Sequence, residues 1–186
     1  MSRITISGTI GSGKSSTGEA LAQIIGYRFI SGGQIFRQKA AEMGMTLEQF
    51  ERMAEKDPSF DTRQNEVIVA FLRENDNIVL ESRLSAFLAK EAGIECFRIF
   101  LDADIDERAR RFSRRESIDF RKSKRLMTER ERSDSDRFRQ FFHADHRDPQ
   151  LYNAIIDTTH LSVLEAAERI YEKFTEWKLT ERLSGN

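Results

Sequence analysis

The chain has 186 residues, 39% of them hydrophobic, which suits one compact domain with mobile insertions better than two independent domains. Its 30 Lys+Arg against 31 Asp+Glu give no global reason to expect nucleic acid or a membrane surface as partner. A single cysteine, Cys96, excludes an intrachain disulfide, and no charged-then-apolar leader or run of about 20 apolar residues is present, so a cytoplasmic protein is expected.

The apolar alternation Ile4-Thr5-Ile6 predicts a first strand, and Gly8-Thr9-Ile10-Gly11-Ser12-Gly13-Lys14-Ser15 follows it with the pattern G-x-x-x-x-G-K-[ST]. Glycines let such a loop turn its N–H groups inward on phosphate oxygens, and the next helix adds its positive end. Residues Gly8 to Ser16 are therefore expected to bind a nucleoside triphosphate, which the resemblance given below implies is ATP. Lys14 reaches the β- and γ-phosphates, and Ser15 is the expected Mg²⁺ ligand.

Ala20, Leu21, Ile24 and Ile25 repeat at helical spacing within Ser16 to Ile25, and Gly26 stops the helix. Tyr27 to Ile30 reads as a strand, so a βαβ unit and a parallel sheet are expected. Ser31-Gly32-Gly33 breaks the chain before a helix over Gln34 to Glu42, Thr46 to Gln49 is a capping box, and Asp57-Pro58 opens a helix running from Phe60 to Glu74. These successive helices without a strand predict an insertion. Ile78-Val79-Leu80 is a buried strand delivering Glu81-Ser82-Arg83 to the sheet edge where open parallel sheets bind ligands. A helix over Leu84 to Ala92, a strand from Cys96 to Leu101, a last strand from Ala154 to Thr158 and a helix from Val163 to Leu179 complete the pattern. Cys96 is expected to be a core residue.

Between Glu107 and Arg147 stand 14 Lys/Arg against 8 Asp/Glu, a local excess of 6. A solvated helix face explains most basic runs, but beside a triphosphate site cations around a migrating phosphoryl group are the stronger reading. Arg130, Asp134 and Arg137 fall four and three apart, on one helical face; guanidiniums there fit phosphates and the carboxylate fits ribose hydroxyls, while an intrahelical ion-pair ladder is the bland alternative. His143, Asp145 and His146 read as a solvated helix end, not a metal site.

The order of these segments resembles the nucleoside monophosphate kinases, and within them the cytidylate kinases, especially the short archaeal form. The resemblance rests on the phosphate loop, Ser31-Gly32-Gly33-Gln34-Ile35-Phe36-Arg37, Glu55-Lys56-Asp57-Pro58, Val79 to Leu84, Leu101-Asp102-Ala103, the R-x-x-x-D-x-x-R lid motif over Arg130 to Arg137, and Ile155-Ile156-Asp157-Thr158. It implies a P-loop kinase fold of the α/β class with a five-stranded parallel sheet: a core over residues 1–30, 77–110 and 150–186, a monophosphate-binding insertion over about 31–75 and a helical lid over about 111–147. It also implies ATP-dependent transfer to CMP or dCMP with Mg²⁺, and a monomer. Lys14, Arg83 and Arg130 would be catalytic, and Ser31, Arg37, Arg83, Arg130, Asp134 and Arg137 would hold the monophosphate. Arg114 and Arg115 end the helix entering the lid, within reach of donor phosphates or merely complementing the helix dipole. Another small kinase acting on AMP, UMP or a non-nucleotide acceptor is the nearest alternative, ahead of a nucleotide-dependent regulatory module, for which no Asn-Lys-x-Asp is found.

Overall fold

Five parallel strands form one sheet in the computed structural model: β1 (Arg3–Gly8), β2 (Arg28–Ser31), β3 (Ile78–Glu81), β4 (Phe97–Asp102) and β5 (Ala154–Asp157), in the spatial order β2-β3-β1-β4-β5. The structure describes residues 2–46, 49–50, 52–53, 57 and 59–184, apart from the side chains of residues 60, 182 and 184. Ile4 lies opposite both Val79 and Phe97, which puts the phosphate loop at the end of the central strand with β3 and β4 on either side. Consecutive strands β3 and β4 thus diverge to opposite sides of β1, the switch point at which open α/β sheets bind ligands. All five strands finish at the same edge, on Gly8, Ser31, Glu81, Asp102 and Asp157.

The strands are apolar because both faces are covered. Ile4, Ile6, Val79, Phe97, Ile99 and Leu101 pack under helices α1 (Lys14–Ile25) and α7 (Val163–Ser184), which contribute Leu21, Ile170 and Phe174. On the other face Ile30, Ile78, Leu80 and Cys96 meet Ile68 and Leu72 of the helix spanning Ser59–Glu74 and Ala89 of the helix spanning Ser85–Glu91. Each fully buried Ile or Leu contributes about 1.5–3 kcal/mol. Cys96 is buried and free, in keeping with its expected place in the core. Among the described residues, no helix is long and apolar enough to cross a membrane.

Helix α2 (Gly32–Glu42) differs from expectation at its start. Ser31 ends β2 and also caps the helix, its Oγ accepting the Gln34 N–H, so Gly32 and Gly33 form the first turn instead of a break. Gly32 is needed there for close approach: a Cβ would stand 3.0 Å from the Ser82 Cβ and 3.2 Å from the Glu81 carbonyl oxygen. The capping box forms, with the Gln49 N–H on Thr46 Oγ1 and the Thr46 N–H on Gln49 Oε1 at 2.8 Å. Of the Glu55-Lys56-Asp57-Pro58 motif, all but Asp57 lie outside the described residues; the Asp57 carboxylate accepts the Ser59 N–H, and α3 follows over Ser59–Glu74. Helix α4 is Ser85–Glu91.

The basic segment folds as two helices, α5 (Ile105–Glu116) and α6 (Phe120–Phe142), each started by an aspartate. Asp104 accepts the N–H groups of Asp106 and Glu107, and Asp119 those of Arg121 and Lys122. Between them Ser117 turns the chain at φ 54°. Met127 of α6 packs with Ala109 and Phe112 of α5 against Ile10, which seats the helical pair on the phosphate loop.

Candidate active site

The loop between β1 and α1 has a shape that glycine alone permits. Gly8 has φ +149°, and a Cβ there would stand 2.1 Å from the Leu101 carbonyl oxygen; at Gly11, φ +80°, it would stand 2.6 Å from that of Arg108. Gly13 at φ +88° is the N-cap of α1, with no side chain on the helix end and no acid in the first turn, so the positive end of the helix faces an open groove. The loop is held from behind. Thr9 Oγ1 donates to Asp102 Oδ1 at 2.7 Å, Ser12 Oγ to the Thr9 carbonyl at 2.9 Å, and Thr158 Oγ1 to the Ser12 carbonyl at 2.9 Å. Lys14 arches back across it with Nζ 2.6 Å from the Thr9 carbonyl, and burial lowers its pKa to about 8 against the upward pull of Glu81. A half-desolvated lysine and free helix end fit anionic phosphate well. Ser15 and Ser16 are exposed beside it.

Glu81 joins this loop to the end of β2. Buried at the end of β3, its Oε2 accepts the Ser15 hydroxyl at 3.1 Å and the Ser31 hydroxyl at 2.7 Å. Beyond it opens a cleft whose walls include Gly33, Arg37, Asp61, Asn65, Arg83 and Arg130. The structure therefore brings Arg37, Arg83 and Arg130 to one cavity, whereas Ser31 is buried and only its neighbours Gly32 and Gly33 line it. Asp134 and Arg137 are placed differently, behind the wall in a chain of buried charges. Arg83 pairs with Asp134, Asp134 Oδ1 lies 3.0 Å from Arg137 Nη2, and Arg137 Nε lies 2.6 Å from Asp61 Oδ2. Side-chain exposure is 23% for Arg83 but only 4–6% for Asp134, Arg137 and Asp61, so Arg83 alone of the four presents a substantial surface to a ligand. Burial raises the Asp61 carboxyl above the ordinary range although Arg137 and Arg83 pull it down. The Asp134–Arg137 contact is one rung of the intrahelical ladder, extended by partners far away in sequence.

Arg114 and Arg115 line a groove beside Gly11, Ser12 and Gly13, together with Arg111 and Thr158. Arg111 is fixed there by Glu107 at 3.0 Å and by the Thr158 carbonyl at 2.8 Å. His146 departs from the solvated helix end expected of it. It is buried edge-on to Phe138 at 5.3 Å, and desolvation lowers its pKa to about 4, which keeps it neutral. No group of three or more His, Cys, Asp or Glu among the described residues is arranged to hold a metal. Sequence reasoning gave no role to Asp61, Glu81, Arg108, Arg111 or Glu131. Glu81 carried a usable signal, an acid at the C-terminal end of a buried strand; Asp61 and Glu131 carried none, since their partners are remote.

The model of the cytidylate kinase-like family matches residues 3–160. A cytidylate kinase of Thermoplasma acidophilum is 38% identical over 174 residues, covering 94% of this chain and 93% of its own length. A cytidylate kinase of Methanopyrus kandleri is 35% identical over 181 residues, 88% and 91% of the two chains. Among solved structures, a gluconokinase from Sinorhizobium meliloti aligns with TM-score 0.68 at 18% identity, over 100% of this chain and 98% of its own. A shikimate kinase from Acinetobacter baumannii aligns with TM-score 0.65 at 17% identity, over 96% of each chain. These structural likenesses establish the P-loop kinase fold. With the family match spanning most of its length, the chain belongs to the cytidylate kinase-like family.

Proposed function

We propose that the protein transfers the γ-phosphoryl group of ATP to CMP or dCMP, giving ADP and CDP or dCDP. The observation that carries this reading is Glu81, where one carboxylate oxygen ties the first helical turn of the donor loop, through Ser15, to Ser31, the buried residue that precedes Gly32 and Gly33 in the wall of the acceptor cavity. Two phosphate sites that share one anchor suit in-line transfer between two bound nucleotides better than hydrolysis.

A phosphate oxygen of the acceptor attacks the γ-phosphorus, and the bond to the β–γ bridging oxygen breaks, leaving ADP. The attacking oxygen is already an anion, so no general base is required. Lys14 and the loop N–H groups hold the donor phosphates, while Arg37 and Arg83 hold the acceptor phosphate and Ser31, buried and bonded to Glu81, supports the loop behind it. Arg130 stands over the cavity and offsets charge on the migrating group. Asp134 and Arg137 serve from behind, Asp134 aiming the Arg83 guanidinium and Arg137 bracing Asp134. Mg²⁺ would be held by Ser15 with the phosphates, Glu81 orienting its surroundings, and would supply charge neutralisation and a template. The insertion and lid would move over a fixed core, excluding water that would otherwise accept the phosphoryl group. The same reading describes a cytoplasmic monomer without nucleic-acid or membrane partners.

ADP release measured across the ribo- and deoxyribonucleoside monophosphates tests the acceptor. CMP and dCMP are expected to turn over fastest. Faster turnover of AMP or UMP would reassign the base, and steady ATP hydrolysis indifferent to every monophosphate would favour a regulatory module.

A further inference from the structure

The lid carries a carboxylate on the donor loop itself. Glu131 follows Arg130 on α6, and its side chain is almost fully enclosed. Oε1 accepts the backbone N–H of Ile10 at 2.8 Å and the Arg108 guanidinium at 2.6 Å, while Oε2 accepts Arg147 at 3.0 Å. Arg108 is buried too, donating to the Ala103 carbonyl at 3.0 Å and to the Ile10 carbonyl at 3.2 Å. Ile10 is thus held at both polar groups, its N–H by Glu131 and its C=O by Arg108, and those two side chains are paired with each other. That is a closed ring of three contacts around the residue between Thr9 and Gly11. Met127, one turn earlier on α6, presses the Ile10 side chain into the same junction.

We propose that Glu131 is a positioning residue, a latch that registers the lid helix against the phosphate loop during transfer. Successive residues on a helix point about 100° apart. Arg130 therefore lines the acceptor cavity while Glu131 grips the donor loop, and one rigid helix sets the distance between a cation over the acceptor and the amides around the donor. Two arginines neutralise the Glu131 carboxylate, so it sits close to an anion-binding loop without repelling its ligand. Arg108, seated on both the loop and the latch, makes the contact depend on α5 as well as α6. Small misplacements of reacting groups cost turnover steeply, by as much as about 100-fold for 1 Å, so an effect on kcat is expected from a residue that touches no substrate.

The inference rests on the kinase reading, and the test separates the two. Glu131→Ala, Glu131→Gln, Arg108→Met and the Glu131→Ala/Arg108→Met double variant are compared with the full wild-type chain for kcat, both KM values, ADP release without acceptor, thermal melting and amide exchange at Ile10. Glu131→Ala is expected to lower kcat by about 10–100-fold with smaller changes in KM. Its acceptor-independent ADP release, as a fraction of transfer, is expected to rise about tenfold because the lid no longer seats against the loop. Glu131→Gln, still able to accept one hydrogen bond, recovers part of the loss, and the double variant is no slower than the worse single one because the two side chains act as a unit. A merely structural role would lower the melting temperature and leave kcat and the hydrolysis ratio of the folded variants within twofold of wild type, which overturns the proposal. Should Glu131→Ala fail to fold, wild-type kinetics in the near-isosteric Glu131→Gln variant overturn it equally. If the wild-type chain phosphorylates no monophosphate, the kinase reading falls, and the latch is decided by exchange. The Ile10 amide should then exchange at least about tenfold faster in Glu131→Ala, and an unchanged rate refutes the latch.

Discussion

Removing Asp61 should unbalance the buried charges that hold Arg83. Arg83, Asp134, Arg137 and Asp61 together are neutral, and three of them have side chains only 4–6% exposed. Asp61→Leu leaves a net positive charge around Arg137 with only Asp134 to compensate two guanidiniums. Removing one partner of a buried pair costs about 3–5 kcal/mol. For a chain of this size that is a fall of roughly 10 °C in melting temperature. The second half of the prediction is more discriminating. Burial already raises the Asp61 carboxyl despite the neighbouring arginines, so the pair does not fully offset its own desolvation. Asp61→Leu with Arg137→Met restores neutrality with apolar groups of similar volume, and should lie within about 1–2 kcal/mol of wild type, far below the sum of the two single losses. Urea unfolding of wild type, both single variants and the double variant measures it. Single-variant losses below about 1 kcal/mol, or losses that simply add in the double variant, would refute the reasoning.

Burial lowers Lys14 to about 8, against 10.5 for an ordinary lysine, so the free loop loses its charge as pH rises through 8 while an unfolded chain keeps it. The kcat/KM for ATP should therefore fall above about pH 8, by roughly tenfold per pH unit, and ATP binding at pH 9 should take up a proton; calorimetry in buffers of different ionisation enthalpy reads the uptake, and its absence contradicts the site. Lys14→Ala should lower kcat by orders of magnitude while circular dichroism and melting show the fold retained. Gly8→Ala places a Cβ against the Leu101 carbonyl oxygen in a left-handed conformation, and should cost on the order of 2–3 kcal/mol by chemical denaturation together with ATP affinity. Glu81→Gln keeps a group that can bond Ser15 and Ser31 but removes the charge, so the Mg²⁺ concentration for half-maximal rate should rise about tenfold at little loss of stability.

The donor half of the site was legible because its chemistry is local. Three glycines, a lysine and a serine at set spacing specify a loop whose conformation depends on its own backbone, and apolar runs flanking it specify a parallel sheet. The strand ends were legible for the same reason, and Arg83, just past the end of β3, stands in the wall of the cleft. What local patterns could not carry was the partner of each charge. Asp134 and Arg137 share a helix face as their spacing requires, but that they turn inward follows from Asp61, 76 positions before Arg137, arriving on α3. Glu131 looks like any acid in a mixed-charge helix until Ile10 and Arg108 are brought beneath it. Gly32 and Gly33 read as a break because glycine disfavours helices, whereas the tight approach of α2 to Ser82 makes Gly32 the residue that fits. His146 reads as a solvated helix end because no further ligand set follows it, and the Phe138 ring packed edge-on against it leaves no trace in that local pattern.

The fate of the γ-phosphoryl group is the central claim, and isotope transfer addresses it most directly. With ATP labelled at the γ-phosphorus and CMP present with Mg²⁺, the label should appear in CDP, with inorganic phosphate a small fraction, and Arg83→Ala should suppress the labelled CDP. Label found mainly in inorganic phosphate, at a rate unchanged by CMP or any other monophosphate, would contradict the account.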